Sequence, residues 1–360
     1  MKIAQVTSLI ESVPPLHNNG LEFIVHFLTE GLVDRGHEVT LFATGDSKTK
    51  AELASLWPKA TSRDSKMAEP FANYFSQWNH EAAYLRSREF DIIHSHDLMG
   101  MFWAALSVPV VVTVHNPGWD YGWYKREYPR EYWSCFEHYI NRIRDGYLIF
   151  ISEHQIKHFP RGEHHYVVHN GVPMEDFTFS GDTDDYFAFL GYLDENKAPH
   201  LAIRAAMQAG VKLKIAGGYY GQTGYYKGKI EPFLASGKVE YLGSLGYKDK
   251  IEFLQRARAI FIPIQWKEPF GLVMIEAMSC GTPVIALNRA AVPEIVVDGK
   301  TGFICNSVDE MAEAAKKINK INRLECRRHV RKNFSIERMV EGYERVYGEI
   351  ISDFKRRFKK

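Results

Sequence analysis

The first third of the chain alternates short apolar runs with a segment of helical periodicity. Lys2 to Thr7 contains the apolar run of a buried strand, and Leu21 to Arg35 carries apolar residues at helical spacing. Strand-like runs follow at Val39 to Ala43, Phe90 to His94 and Val108 to Val114. Near-continuous apolar runs with short connections are typical of parallel strands that are covered on both faces. This part therefore predicts an α/β domain.

The pattern breaks at the turn-forming residues Asn170 to Pro173, and a second alternation begins at the strand-like run Phe187 to Leu190. The elements predicted after it are helix His200 to Ala209, strand Val211 to Ala216, strand Val239 to Leu242, helix Asp249 to Arg256, strand Ala259 to Ile264, helix Leu272 to Ser279 and strand Val284 to Ala286. We therefore predict two doubly wound, Rossmann-like domains, residues 1–171 and 172–335.

Residues 336–360 form a separate amphipathic segment. Apolar residues recur there at helical intervals, namely Met339, Val340, Tyr343, Val346, Tyr347, Ile350, Ile351 and Phe354. A helix of this length spans about 30 Å at 1.5 Å per residue. We expect it to return toward the N-terminal domain and to pack across both domains.

Composition narrows the class of protein. The 360 residues include 45 basic and 44 acidic side chains, so the net charge gives no reason to expect a nucleic-acid partner. The four cysteines contain no C-x-x-C pair, and no run approaches the 18 apolar residues of a membrane span, so we expect a cytoplasmic protein. The basic run Lys355 to Lys360 is interpreted as a solvated helix end, with peripheral contact to anionic lipid as the alternative.

The densest chemical signal lies between Glu268 and Val284, in the sequence EPFGLVMIEAMSCGTPV. An acidic residue follows an apolar strand, Pro and Gly shape a turn, and a helix begins near Gly271. Ligands of open α/β sheets bind at the carboxyl ends of strands, and the first N–H groups of a helix suit an anionic diphosphate. Glu276, about one turn further on, can accept both hydroxyls of a ribose, and Glu268 can accept from sugar hydroxyls.

This stretch resembles the E-x7-E motif of the family 4 retaining glycosyltransferases. Other pieces match that family in order, namely Asn19 to Glu22, Arg35 to Val39, Val112 to His115, Asn170 to Val172, Gly191 with Lys197, Val292 to Val296 and Asp298 to Gly302. The resemblance implies a GT-B fold, in which two Rossmann-like domains face a cleft, with the donor on the C-terminal domain and the acceptor on the N-terminal one. It implies retaining hexosyl transfer from a nucleotide-diphospho-sugar, expected to be a UDP-sugar, without a metal or other cofactor.

The resemblance also assigns roles to residues. Glu268 would contact donor-sugar hydroxyls, Glu276 would hold the ribose, and Lys197 would neutralise charge on the leaving diphosphate. His115, at a predicted strand end, would bond a donor hydroxyl rather than act as a base, and a structural histidine is the alternative. The remaining implied contacts are on the donor side Gly191, Tyr192, Gly243, Ser244, Leu245, Phe270, Gly271 and Leu272, and on the acceptor side Asn19, Gly20 and His115.

Three residues depart from the family pattern. Tyr192 stands in place of the family arginine, and a tyrosine cannot replace the bidentate, charge-assisted contact of a guanidinium. Ala198 and Asn19 each replace a glycine. These departures leave room for Arg204 or another base to compensate. The alternative function is a degenerate GT-B protein that binds nucleotide sugar or glycan without efficient transfer.

Two further clusters have competing interpretations. The histidines of His94-Ser95-His96-Asp97 do not form a three-ligand metal pattern, and we expect His96 or Asp97 to be structurally hydrogen-bonded. Seven aromatic residues lie between Trp119 and Trp133, interleaved with basic ones. They predict ordinary packing, with a carbohydrate acceptor or a membrane-bound acceptor as alternatives.

Overall fold

The structure is a computed structural model that describes residues 1–16, 20–63, 69–103, 107–116, 129–219 and 221–358. The chain forms two compact units. The N-terminal unit comprises Met1–His169 together with Ile336–Lys360, and the C-terminal unit comprises Asn170–Ser335. The boundary near Asn170 falls at the turn-forming residues, and the C-terminal segment belongs to the N-terminal unit.

The N-terminal unit is built on a parallel sheet with the strand order β3-β2-β1-β4-β5-β6-β7. Its strands are β1 (Lys2–Val6), β2 (Glu38–Phe42), β3 (Glu52–Ala54), β4 (Ile92–Ser95), β5 (Val110–Val114), β6 (Tyr147–Phe150) and β7 (His165–Val167). Its helices are α1 (Gly20–Asp34), α2 (Glu69–Leu85), α3 (Trp133–Asp145), α4 (Glu153–Ile156) and α13 (Ile336–Phe358).

Helix α13 buries the predicted apolar stripe against the N-terminal unit. Tyr343 and Tyr347 are completely buried, as are the aliphatic residues Met339, Val340, Val346 and Ile350. The helix approaches α1 closely, because a Cβ at Gly31 would lie 2.6 Å from a methyl group of Val340. Helical spacing alone therefore identified both the helix and its buried face.

The C-terminal unit has a second parallel sheet with the order β10-β9-β8-β11-β12-β13. Its strands are β8 (Phe187–Leu190), β9 (Leu213–Ala216), β10 (Val239–Tyr241), β11 (Ile260–Ile262), β12 (Val284–Leu287) and β13 (Gly302–Cys305). Its helices are α5 (Pro199–Ala209), α6 (Thr223–Lys229), α7 (Glu231–Leu234), α8 (Tyr247–Arg256), α9 (Leu272–Ser279), α10 (Val292–Ile295), α11 (Val308–Lys316) and α12 (Arg323–Asn333).

Both sheets have the strand order of doubly wound folds, which confirms the predicted fold class. The order reverses between β1 and β4 in the N-terminal unit and between β8 and β11 in the C-terminal unit. Such a reversal point, at the carboxyl ends of the strands, is where open α/β sheets bind ligands. Among the described residues, no helix is long and apolar enough to span a membrane.

Sequence reasoning did not predict the helices α2 to α4, α6, α7 and α10 to α12, or the short strands β3, β6, β7 and β13. Polar residues of α2 face the interior, which obscures its apolar periodicity. The buried Asn79 donates to the carbonyl oxygens of Thr7 and Phe42, and the buried His80 contacts Ser95. Strands β3 and β7 are only partly buried, so neither has the continuous apolar run of a strand that is covered on both faces.

Candidate active site

Three glycines join the carboxyl ends of β8, β9 and β10. The Gly191 amide donates to the Ala216 carbonyl over 3.1 Å, and the Gly217 amide donates to the Gly243 carbonyl over 2.8 Å. Gly217 has φ = 141°, and a Cβ there would lie 1.8 Å from the Gly191 carbonyl oxygen. Only glycine allows this approach, which forms a compact backbone surface at the edge of the sheet.

An ion pair lies beside this surface, close to the reversal point. The Lys197 ammonium contacts Oε2 of Glu268, which is largely buried, and Trp266 Nε1 donates to the same oxygen over 2.8 Å. The ammonium also lies 5.1 Å from the centre of the Trp266 ring. The Lys197 side chain lies against Gly191, since a Cβ at Gly191 would be 3.7 Å from Cγ of Lys197. Lys197, Glu268 and Gly191 are therefore brought together.

The turn after Glu268 presents the start of α9. Phe270 is buried and packs edge-on against Phe334, with ring centroids 5.8 Å apart, which anchors the turn. Gly271 precedes the first residue of α9 and has φ = 91°. The first N–H groups of a helix have no partner within it, so those at Leu272 and Val273 are available to a bound anion.

Glu276 lies on α9 and forms a second ion pair, with Lys250 of α8. Its Oε1 is 2.6 Å from Lys250 Nζ, and the two side chains are only 13% and 8% exposed. The ammonium also lies 5.4 Å from the ring centre of Phe177 and 5.1 Å from that of Tyr247. The ion pair with Lys250 thus fixes the position of the Glu276 carboxylate.

Sequence reasoning missed Lys250 and Trp266. Lys250 lies on the same face of α8 as the buried Phe253 and Leu254, at a position that normally carries an apolar residue. A lysine on the buried face of a helix implies a carboxylate partner, and this signal was present in the sequence. Trp266 carried no comparable signal, because its role depends on the path of the loop after β11.

The residues that depart from the family pattern occupy defined positions. Tyr192 follows Gly191 and is 49% exposed. Ala198 has φ = 52° and ψ = 51°, the left-handed conformation that suits glycine. Arg204 forms an exposed ion pair with Asp309 of α11, at 3.3 Å. This contact joins α5 and α11 on the surface of the C-terminal unit.

The last members of the predicted donor side follow β10. Gly243 has φ = 73°, Ser244 is exposed, and Leu245 is half-buried. They continue the edge that starts at Gly191, so the C-terminal unit collects all predicted donor-side residues along the carboxyl ends of its strands and the start of α9.

The predicted acceptor-side residues belong to the N-terminal unit. Gly20 is the first residue of α1, and Asn19 lies outside the described residues, as do Trp119, Tyr121, Trp123, Tyr124 and Tyr128 of the aromatic run. His115 follows β5 and is partly exposed. Its Nε2 lies 3.0 Å from Nδ1 of His96.

Burial keeps the histidines at this edge neutral. It lowers the pKa of His115 and lowers those of His94 and His96 well below their usual value, with the neighbouring imidazoles adding to the effect at the latter two. The expectation that His96 is structurally hydrogen-bonded is confirmed by its 2.7 Å contact with Gln5. Across the described part of the chain, no three His, Cys, Asp or Glu side chains are gathered as a metal site requires.

Two family models match adjacent parts of the chain. The model described as Glycosyltransferase Family 4 matches residues 18–176, and the model described as Glycosyl transferases group 1 matches residues 175–337. The first model covers most of the sequence of the N-terminal unit, and the second covers nearly all of the C-terminal unit with the Lys197, Glu268 and Glu276 positions.

Individual proteins agree with these models. An uncharacterized glycosyltransferase of Methanocaldococcus jannaschii is 27% identical over 286 residues, which are 74% of this chain and 77% of that protein. The D-inositol 3-phosphate glycosyltransferase of Mycobacterium avium is 34% identical over 168 residues, 41% of this chain and 39% of that protein. The structure of Anabaena HepE in complex with UDP superposes with a TM-score of 0.73 at 18% identity, covering 97% of this chain and 100% of HepE. With both family models matched in order and this shared architecture, the chain belongs to the family 4 glycosyltransferases and has the GT-B fold.

Proposed function

We propose that the protein transfers a hexose from a nucleotide-diphospho-sugar, expected to be a UDP-sugar, to a hydroxyl acceptor with retention of the anomeric configuration. The observation that carries the proposal is the Lys197–Glu268 pair, which Trp266 contacts through its indole N–H, next to the start of α9. It combines a cation, a carboxylate and unpaired helix amides at the reversal point of the sheet, which suits a sugar linked to a diphosphate.

Lys197 is proposed to donate a hydrogen bond to the leaving diphosphate while it keeps its contact with Glu268. An ammonium has three N–H donors, so it can keep the carboxylate and still donate to a phosphate oxygen. The amides at Phe270, Gly271 and Leu272 and the backbone at Gly191 would share the phosphate charge. Because this charge grows as the glycosidic bond to the diphosphate breaks, the contacts stabilise the transition state more than the bound donor.

Glu276 and the end of β10 are proposed to select the nucleoside. A carboxylate only accepts hydrogen bonds, so Glu276 fits the paired hydroxyls of a ribose, and its ion pair with Lys250 favours one geometry. Gly243, Ser244 and Leu245 would supply backbone contacts to the base. The UDP bound by the structurally similar HepE supports a uridine nucleotide as donor.

In the proposed reaction the acceptor hydroxyl attacks the anomeric carbon of the donor sugar from the same side as the leaving diphosphate. No metal takes part. The leaving phosphate oxygen takes the acceptor proton, so the protein need not supply a base. His115 is proposed to bond a hydroxyl of the transferred sugar, which agrees with its lowered pKa, because a neutral imidazole is a weak base but a good acceptor. The acceptor is a carbohydrate or another hydroxyl compound, and the cytoplasm remains the expected compartment.

The proposal is tested by turnover. Purified protein is incubated with UDP-, GDP- and ADP-hexoses, with and without hydroxyl acceptors, and release of nucleoside diphosphate is measured. We expect release from a UDP-sugar and a product whose anomeric configuration, determined by NMR, matches the donor. Absence of release from every donor, together with unchanged nucleotide binding by a Glu276→Ala variant, would contradict the proposal.

A pair of lysine variants separates catalysis from general charge effects. Lys197→Ala should lower kcat by about 100-fold or more, because it removes a cation from the developing diphosphate charge. Lys267→Ala is the matched control, since this lysine is next to Glu268 but exposed. Its kcat should stay close to that of the parent, and equal losses in the two variants would assign no special role to Lys197.

The second candidate function is binding without transfer, and Tyr192 is the observation that favours it. Its exposed phenol replaces a cation of the family beside the Lys197 site. Nucleotide-sugar binding without turnover in the assay above would support this function. Tyr192→Arg should then raise turnover if missing charge is the cause.

A further inference from the structure

Hydrogen bonds connect His115 to the C-terminal helix α13 through the interior of the N-terminal unit. His115 Nε2 lies 3.0 Å from His96 Nδ1, and His96 Nε2 lies 2.7 Å from Gln5 Oε1. Gln5 Nε2 donates to the hydroxyl of Tyr347, on α13, over 3.1 Å. Gln5, His96 and Tyr347 are buried, so bulk water does not compete for these hydrogen bonds.

The chain of hydrogen bonds continues beyond Tyr347. Its hydroxyl lies 2.6 Å from Nδ1 of His94, and His94 Nε2 lies 2.7 Å from Oγ1 of Thr113. The Thr113 hydroxyl is 3.1 Å from that of Tyr343, one turn before Tyr347 on α13. Tyr347 therefore lies in the middle of this series of hydrogen bonds, whereas Tyr343 lies at its far end.

The Gln5 amide sets the direction in which the protons are donated. Its oxygen only accepts, so His96 carries its proton on Nε2, and a neutral ring then has a lone pair on Nδ1. Burial of His96 keeps it neutral by lowering its pKa. His115 must then donate from Nε2, which leaves the lone pair on its own Nδ1. On the other side of Gln5, Tyr347 accepts from the amide and donates its proton to His94.

If the oxygen and nitrogen of the Gln5 amide exchanged places, every hydrogen bond in this series would be donated in the opposite direction. His96 would accept at Nε2 and donate from Nδ1, and His115 would carry its proton on Nδ1. The two arrangements give His115 opposite tautomers, and this makes the direction measurable.

We propose that Tyr347 is a positioning residue for the transfer reaction: through Gln5 and His96 it holds His115 as the Nε2–H tautomer, so that Nδ1 accepts a hydrogen bond from a donor-sugar hydroxyl. The sugar contact rests on the proposed function, whereas the tautomer rests on the hydrogen-bond geometry alone. A helix far from His115 in sequence thereby determines which ring nitrogen is available to the substrate.

The tautomer is measured on the full chain with histidine labelled with ¹⁵N. Long-range ¹H–¹⁵N spectra separate protonated from bare ring nitrogens, and a His115→Gln variant identifies the His115 signals. We expect the parent to show His115 protonated on Nε2. Tyr347→Phe should show a mixture of tautomers, because Gln5 and His94 both lose the hydroxyl that lies between them. A parent protonated on Nδ1, or a pure Nε2–H tautomer in Tyr347→Phe, would overturn the inference.

Tyr343→Phe is the matched control, since it removes the same group from the same buried face of α13. Thr113 can rotate its hydroxyl when Tyr343 loses its own, so the His115 tautomer should not change. If Tyr347→Phe does not fold, Gln5→Met removes the acceptor of His96 and should shift His115 toward the Nδ1–H tautomer. An unchanged spectrum in Gln5→Met, or an equal change in Tyr343→Phe, would count against the inference.

Kinetics separate this inference from the proposed function. Loss of the Tyr347 hydroxyl, with its hydrogen bonds to Gln5 and His94, should lower kcat of Tyr347→Phe by about tenfold, against less than about twofold for Tyr343→Phe. The donor KM should change little, because most nucleotide contacts remain. An inactive parent with the expected tautomers would refute the proposed function and keep the positioning of His115. An active parent with equal kcat in both variants would refute the role in the reaction.

Discussion

At the scale of single residues, the site depends on backbone conformations as much as on side-chain charge. Gly271 joins the loop of Glu268 to α9 with φ = 91°, and a Cβ there would lie 3.6 Å from Glu268 Cγ. Ala198, next to Lys197, adopts a left-handed conformation in spite of its methyl group. The chain keeps the glycine-like backbone at Ala198, so its departure from the family pattern changes strain rather than geometry.

Gly271→Ala should lower the free energy of unfolding by about 1–2 kcal/mol, because an L-residue pays this cost in the left-handed region. The close contact with Met274 adds little, since its terminal methyl can move. Urea denaturation measures the change. Gly228→Ala, in the exposed part of α6 where a Cβ meets nothing within 4 Å, is the control and should stabilise by up to about 1 kcal/mol. Equal signs for the two variants would contradict the assignment of strain to Gly271.

At the scale of elements, helices α8 and α9 are joined by the Lys250–Glu276 pair. The carboxylate that is proposed to hold the ribose is therefore also part of the packing of the C-terminal unit. A loss of donor binding in a simple Glu276 variant could come from either role. The two roles can be separated because the partner is a single lysine on a neighbouring helix.

Glu276→Gln should destabilise the protein by about 3 kcal/mol, because it removes the charged carboxylate that lies 2.6 Å from the buried ammonium of Lys250. The double variant Lys250→Met, Glu276→Gln should recover most of this stability, since neither charge is then buried alone. Both variants should bind UDP at least about tenfold more weakly than the parent, as expected if one charged acceptor to the ribose is worth about 1.5–3 kcal/mol. Urea denaturation and calorimetric titration measure the two effects. Recovery of UDP binding in the double variant would show that Glu276 acts only through stability.

At the scale of the whole molecule, buried histidines make stability depend on pH. Burial lowers the pKa values of His80, His94 and His96 in the folded state, while the unfolded chain binds protons near pH 6.5. Below that pH the unfolded state binds more protons than the folded state, so stability falls as pH falls. Glu22 acts in the opposite direction, because burial raises its pKa to about 7 and its folded carboxyl takes up a proton first.

We expect the urea midpoint to fall between pH 7 and pH 5.5, since each of the buried histidines removes about 1.4 kcal/mol per pH unit below pH 6.5 and the single Glu22 offsets only one of them. Glu22→Gln removes the opposing group, so its midpoint should exceed that of the parent above pH 7 and fall more steeply on acidification. A midpoint that is constant or rises between pH 7 and pH 5.5 in the parent would contradict this expectation.

The sequence by itself determined the alternation of strands and helices, the helix at Ile336–Phe358 and the segment that carries Glu268 and Glu276. These features are local: buried parallel strands need continuous apolar runs, and a packed helix needs apolar residues on one face. It also indicated Lys197, although only through the family resemblance. The sequence did not predict helix α2, because Asn79 and His80, on its buried face, form hydrogen bonds to neighbouring strands instead of packing as apolar residues.

Only the tertiary structure decided which distant side chains meet. Lys197 contacts Glu268, Lys250 contacts Glu276, Arg204 is paired with Asp309, and Tyr347 is connected to His115 through Gln5 and His96. Each of these contacts depends on how two elements are packed, and spacing along the chain carries no information about it. The local pattern therefore specified the elements, whereas the polar contacts of the site followed from the close packing of elements far apart in sequence.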